Sequence, residues 1–358
     1  MTRRTLPLAT VLGALCASGL AAQEEASRRR VFPVPVLGYA PETSLQIGLA
    51  VVGVTSAADS APATRPTVTL GTATYTLKKQ YSLSVLVDRW TRGDGWHLSG
   101  EMALSRFPSQ FHALGAAASD SSETYTPRTL SLSVAAQRRV APRLYLGAAY
   151  SVRNTRMQEV EPGGILARSE VPGSRGGTDG SLRVEGVWDS RDALYRTRNG
   201  GYLRLAVTGA GPALGGDFTY RRVGADARAY RAAGRSVVVA AQAVLDAVDG
   251  TAPFEQLPRL GGQGILRGYT EPRFRDDAMA AAQLEVRAPL RGVVSVVAFG
   301  GLGATARSVS AIPDSRMRAA GGLGLRILVD PGEGLQLRID YALAKGGGGL
   351  YVAAGDAF

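Results

Sequence analysis

The feature that most constrains this chain is an alternation of period two, carried for about ten residues at a time and repeated along most of its 358 residues. In the stretch from Ser181 to Arg191, Leu182, Val184 and Trp188 fall on one face of an extended strand. Arg183, Glu185, Asp189 and Arg191 fall on the other. A soluble sheet strand also alternates, but four charges on one face opposite an apolar face fit a strand with lipid on one side and a wet lumen on the other. Between Ala282 and Leu290, Leu284, Val286 and Leu290 oppose Gln283, Glu285 and Arg287. Between Leu335 and Tyr341, Leu335, Leu337, Ile339 and Tyr341 oppose Gln336, Arg338 and Asp340.

The pattern divides into about sixteen strands, the first at 32–40 and the last at 349–358, an even number as a single-chain bacterial barrel requires. Tight turns are expected near Ala141-Pro142, Arg291-Gly292 and Pro331-Gly332. Pro41-Glu42-Thr43 reads as a turn or a kink, and Gly346 to Gly349 as a turn. Residues 107–124, 157–177 and 249–277 read as long surface loops. The fold class is therefore all-β, a transmembrane antiparallel barrel.

Residues 1–22 read as a secretory signal: Arg3 and Arg4, an apolar run from Leu6 to Leu20, then Ala21 and Ala22 before a cleavage point. Residues 23–31 form a short charged periplasmic segment, and 32–358 the barrel. The nine residues between signal and barrel leave no room for a periplasmic repeat. Cys16, the single cysteine, falls in the signal, so disulfides and thiol chemistry are excluded from the exported part. The two histidines, His97 and His112, are too few for most metal sites, and no cofactor is expected. The net charge of +11 raises a nucleic-acid reading. The arginines are scattered rather than clustered, which favours lumen ion pairs or contacts to anionic headgroups.

One stretch breaks the alternation: Leu260-Gly261-Gly262-Gln263-Gly264-Ile265-Leu266-Arg267-Gly268-Tyr269, glycine-rich with a single arginine. Eleven strands precede it and five follow. On its residues alone, Arg267 reads either as the anchor of a loop folded into the lumen or as a solvated loop arginine. His97, Ser99 and Glu101 share a face, but neighbours two apart on one strand rarely align as nucleophile and base, and no carboxylate is set nearby to orient His97. The face reads as polar lumen lining, and the chain as a non-enzyme.

The motifs taken in order resemble the BamA/TamA family of outer-membrane proteins, the superfamily of bacterial surface-antigen barrels. The resemblance covers nearly all of 32–358. It is carried by Tyr39-Ala40-Pro41-Glu42-Thr43, Tyr75-Thr76, Asp189-Ser190-Arg191-Asp192, Leu260-Gly261-Gly262, Leu266-Arg267-Gly268-Tyr269, Glu285-Val286-Arg287, Leu337-Arg338-Ile339-Asp340-Tyr341 and Gly355-Asp356-Ala357-Phe358.

The resemblance implies a 16-stranded barrel whose loop between strands eleven and twelve dips into the lumen. Arg267, Gly268 and Tyr269 match the loop tip, and Glu285 matches an acidic partner on strand twelve. On strand thirteen, Phe299 and Gly303 match the family's pattern, while Gly301 stands where an aspartate is expected. Strand parity puts Glu285, Gln283, Asp340, Phe299, Gly301 and Gly303 on the lumen face. Glu285 is then the expected main partner of Arg267, Asp340 the second choice, and Gly301 a space for the loop tip. Phe358, terminal on an alternating strand, resembles the last-strand signal read by the outer-membrane assembly machinery. The implied function is assembly, insertion or translocation of proteins at the outer membrane; the alternative is a channel or structural barrel. Implied partners are outer-membrane lipid and lipopolysaccharide, client proteins, or a periplasmic partner.

Overall fold

A computed structural model of the chain describes residues 29–40, 44–55, 64–115, 122–193, 196–234, 236–269, 273–330 and 334–358. The expected signal segment and the turns at 41–43 and 331–332 lie outside the described residues.

Sixteen long strands form the wall, and a three-residue strand, Ser109–Phe111, brings the antiparallel sheet to seventeen. In chain order they are β1 (Arg29–Ala40), β2 (Ser44–Thr55), β3 (Thr67–Thr76), β4 (Tyr81–Trp90), β5 (Trp96–Arg106), β6 (Glu123–Ala141), β7 (Leu144–Val160) and β8 (Gly176–Asp189). They continue as β9 (Gly200–Ala210), β10 (Thr219–Ala233), β11 (Val237–Thr251), β12 (Ala278–Arg291), β13 (Val294–Ala306), β14 (Arg318–Asp330), β15 (Leu335–Ala344) and β16 (Gly347–Ala354). Each long strand pairs with the next, as in the registers Leu205↔Gly186, Glu285↔Phe299 and Gly324↔Asp340.

The alternation of the sequence becomes the two faces of this wall. Leu49, Val85, Leu132, Val184, Leu205, Leu284 and Leu323 point outward and stay exposed, Val184 at 60% and Leu205 at 53%. In water such a surface would drive aggregation; against hydrocarbon it costs nothing. The intervening positions, including Glu185, Gln242, Gln283, Glu285, Arg287 and Asp340, are buried inside. Among the described residues, no helix is long and apolar enough to cross a membrane.

Turns at one end are short. Arg143 takes a left-handed conformation (φ 66°) between β6 and β7, and Gly292 (φ 57°) between β12 and β13. Connections at the other end are longer. There Phe111, Tyr125, Leu166, Phe254 and Leu257 from strand ends and loops pack into an apolar cap, with Phe254 edge-on to both Phe111 and Tyr125.

Three details differ from the pattern-based reading. Strands β6 and β7 run on to Glu123 and Val160, because their outer ends pair with each other beyond the alternating part. Gly347, Gly348 and Gly349 belong to β16 rather than to a turn, opposite Ala344, Leu343 and Ala342. Phe358 does not lie on the last strand, which stops at Ala354. Gly355 turns the chain at φ 78°, Asp356 goes to arginines of the lumen, and Phe358 is buried against Tyr230 across the interior. A buried phenyl ring on the lumen side is a different feature from an aromatic displayed at a strand end.

The lipid face predicts its own test. Leu205 lies midway along β9, so Leu205→Arg should cost about 2–4 kcal/mol in a bilayer, read as a lower urea midpoint for vesicle-embedded protein. An unchanged midpoint would mean that this face does not meet hydrocarbon.

Candidate functional site

Between β11 and β12 the chain leaves the wall and folds back into the lumen. A two-residue ribbon, Arg259–Leu260 with Phe274–Arg275, closes the base of the excursion. Gly261 (φ 119°), Gly262 (φ 102°) and Gly268 (φ 117°) take backbone conformations that side chains rarely allow, which is why the segment is glycine-rich. Gly268 is restricted by space as well. A Cβ there would stand 3.0 Å from the main chain of Leu343 and 3.1 Å from Ala344 Cβ, so the loop tip lies directly on the backbone of β15.

Arg267 at this tip is 2% exposed, and its two partners, Glu285 and Asp340, are 0% exposed. One terminal nitrogen donates to Asp340 Oδ2 at 2.5 Å and the other to Glu285 Oε1 at 2.5 Å. The guanidinium carbon, Cζ, lies over the Phe299 ring, 3.6 Å from its centroid. Charge-assisted bonds to two carboxylates and stacking on an aromatic face suit a planar guanidinium and no other side chain. Gly268 N–H donates to the Tyr351 hydroxyl at 2.9 Å, and that hydroxyl donates to the Tyr269 carbonyl at 3.3 Å. Leu260, Leu266, Tyr269, Phe274, Met279 and Ala281 form an apolar cluster beneath the tip.

A second layer holds the first. Arg287 Nε donates to Glu285 Oε2 at 2.9 Å, and Arg326 Nη1 donates to Asp340 Oδ1 at 2.5 Å. Asp356 of the C-terminal tail bridges these arginines, accepting from Arg287 at 2.7 Å, Arg326 at 3.4 Å and Gln336 at 2.8 Å. Arg338 reaches the Gln263 carbonyl of the loop at 3.3 Å, and Gln283 reaches that of Gly264 at 2.7 Å.

The geometry redistributes the expected roles. Glu285 and Asp340 are equal partners of Arg267, so the carboxylate absent at Gly301 is supplied from β15. A Cβ on Gly301 would meet Gln283 Cβ and Ala282 O on the adjacent strand, each at 3.0 Å. Gly303 does face the loop, since a Cβ there would stand 2.8 Å from Leu260 Cδ1. Two glycines that the sequence reading passed over matter more. A Cβ on Gly324 would overlap the Asp340 carboxylate, and one on Gly322 would stand 2.8 Å from the Phe299 ring. Gly322, Gly324 and Arg326 share the inner face of β14; their spacing of two was the available signal.

His97 also needs correction. Its Nε2 is 2.9 Å from Asp88 Oδ2, its Nδ1 is 2.9 Å from Gln137 Oε1, and its ring stacks on Trp90 at 4.0 Å. A carboxylate does orient it, contributed by the neighbouring strand. Both ring nitrogens are thereby engaged, and neither bonds Ser99. Among the described residues, no cluster of histidine, cysteine and carboxylates could hold a metal ion.

A model of the Omp85 superfamily domain matches residues 66–350. The chain belongs to the Omp85 superfamily. Among solved structures, this Omp85 barrel is similar to BamA from Haemophilus ducreyi lacking POTRA domains 1–3, with a TM-score of 0.59 and 15% identity over 97% of this chain and 75% of that one. It is also similar to CdiB from Escherichia coli, with a TM-score of 0.62 and 13% identity over 98% of this chain and 67% of that one. CdiB from Acinetobacter baumannii gives 0.55 and 10%, the match spanning 95% of this chain and 62% of that one. No curated protein matches the sequence. The superfamily and the shared barrel place this Omp85 chain in the bacterial outer membrane.

Removing Arg267 would leave two carboxylates buried without their shared partner, a loss on the order of 3–5 kcal/mol. Arg267→Ala should therefore lower the temperature at which the folded, fast-migrating form is lost in unboiled gels. Gly324→Ala should lower it too, by displacing Asp340 with the arginine intact. A transition at the wild-type temperature in both variants would show that the clamp does not hold the loop.

Proposed function

We propose that this Omp85 barrel takes part in the assembly, insertion or translocation of proteins at the outer membrane, and that Arg267, Gly268 and Tyr269 anchor the lumen loop on which that activity depends. The observation that carries the reading is the clamp: a loop of thirteen residues between Leu260 and Phe274 is held inside the barrel by a fully buried arginine shared between β12 and β15. A loop so tied spans two wall strands that are not adjacent, so its position responds to how the wall is arranged. Residues 1–22 act as the export signal in this reading, and the partners are outer-membrane lipid and lipopolysaccharide, client proteins, and a periplasmic partner. The role is not enzymatic, in keeping with His97 being committed to Asp88 and Gln137.

Depletion of the protein, followed by quantitative proteomics of isolated outer membranes, tests this. Selected barrel or secreted proteins should fall in abundance, and Arg267→Ala should fail to restore them. An outer-membrane proteome unchanged by depletion would overturn the proposal.

A second reading, a channel, is favoured by one observation. Beside the loop lies a polar cavity of about 460 Å³, lined by Arg183, Arg204, Arg222, Arg228, Asp226 and Asp246 among others. If conduction is the role, deleting residues 261–268 should convert a silent protein into a stable open pore in planar bilayers. A silent deletion variant would remove this reading.

A further inference from the structure

The register of the wall brings together three arginines that lie far apart in the sequence. Arg106 ends β5 and stands opposite Arg128 of β6, and Arg128 stands opposite Arg156 of β7. Parity fixes where they point. Thr129 and Thr155, one step along the same ladder, are buried inside, and Thr155 donates to Glu255 of the connection after β11. Arg128 and Arg156 therefore face outward, on the side of the exposed Leu130. Arg106 shares the outer face of β5 with the exposed Met102. Neighbouring strands lie about 4.8 Å apart, so the three side chains leave the wall along a line of roughly 10 Å.

Like charges directly opposite one another destabilise a sheet, and this row is only partly compensated. Arg106 Nη2 donates to Glu159 Oε1 at 3.0 Å, and that carboxylate side chain is itself 66% exposed. Arg106 Nε is buried without a hydrogen-bond partner. Arg128 and Arg156 are exposed, and among the described residues neither side chain makes an ion pair or a hydrogen bond.

The row also has a definite depth. In the same register Arg106 stands opposite Tyr81 of β4, and Tyr81 opposite Tyr75 of β3, which is exposed on the outer face. Outward aromatics mark the boundary between hydrocarbon and headgroups. On one side of the row the outer face is apolar, with Leu83, Met102, Leu130 and Leu132 exposed. On the other lie the connections 107–122 and 161–175, whose length marks the extracellular end. The arginines thus stand at the headgroup level of the outer leaflet. A guanidinium takes phosphate through paired, charge-assisted hydrogen bonds. A lipid with phosphates at this level would neutralise the row while its acyl chains lay along the leucines.

We propose that Arg106, Arg128 and Arg156 form a site on the outer wall for the phosphate-bearing headgroup of an outer-leaflet lipid, the lipid A part of lipopolysaccharide. The site gives the lipid partner proposed above a place on the barrel; it rests on the outer-membrane location and not on the assembly role.

Native mass spectrometry of the purified full chain in detergent tests this with three probes. They are lipid A carrying both phosphates, lipid A from which the phosphates have been removed, and a short aspartate-rich peptide with an amidated end. The phosphorylated form should bind saturably and about tenfold or more tightly than the dephosphorylated form. Arg128→Gln combined with Arg156→Gln should remove that preference, while unboiled-gel mobility shows the barrel still folded. Arg128→Gln alone, at an exposed position, should weaken it in the same direction. Arg316→Gln combined with Lys345→Gln, which takes two exposed charges from the same end of the barrel, should leave it intact. Equal binding of the two lipid A forms, a preference that survives in the folded Arg128 and Arg156 variants, or one lost equally in the Arg316 and Lys345 variant overturns the proposal. Binding of the peptide without lipid A also overturns it, and would assign the row to an acidic protein partner.

Discussion

A guanidinium removed from water and held between two carboxylates is the interaction on which the interior of this barrel depends. Arg267 has no solvent to fall back on, so its position is decided wholly by Glu285, Asp340 and the Phe299 ring. Replacing such a group with apolar residues can be neutral in other proteins, whereas removing one partner is costly. The clamp is thus better understood as a positional device than as a source of stability. It commits a flexible, glycine-rich segment to one arrangement, because any other leaves charge buried and unpaired. The second layer follows from the same demand. Two carboxylates facing one arginine have free oxygens, and Arg287 and Arg326 satisfy them.

The rest of the lumen obeys the same requirement at lower charge density. From Asp88 on β4, hydrogen bonds pass through His97 to Gln137 on β6, then to Glu185 on β8 and Arg204 on β9. The step from β6 to β8 skips a strand. It is possible because β7 carries Gly147, where a side chain would occupy the space of Gln137. Further round, Gln242 joins Asp226 on β10 to Gln283 on β12, which touches the loop itself. A polar belt of this kind ties strands together from the inside, where the outer face has only lipid to pack against and little to distinguish one strand from its neighbour.

How much of this was legible follows from what a period of two can and cannot carry. Parity alone separates Leu284 and Val286 from Gln283 and Glu285, so the barrel and the inward direction of Glu285, Asp340 and Phe299 could be read from spacing. Parity does not give register. Asp88 and His97 are nine residues apart on successive strands, and only their offset in the ladder decides whether they meet. The importance of Gly322 and Gly324 was hidden for the same reason: it depends on which side chains of β13 and β15 lie opposite. Phe358 was expected on the last strand and lies off it because Gly355, one residue with a left-handed backbone, takes the tail out of the alternation. Asp356, close in sequence to a strand end, became part of the arginine network through that turn.

The clamp also has a direction along the chain. Glu285 lies 18 residues after Arg267 and Asp340 lies 73 residues after it, so both acceptors follow the loop they secure. Contacts of large sequence separation form late, after the entropy of the intervening chain has been spent. Until β15 has been laid beside β14, Arg267 has at most one carboxylate, and the loop is free to lie elsewhere. Its capture therefore reports that β12 and β15 are both in place: the loop is locked only by strands that come after it in the chain.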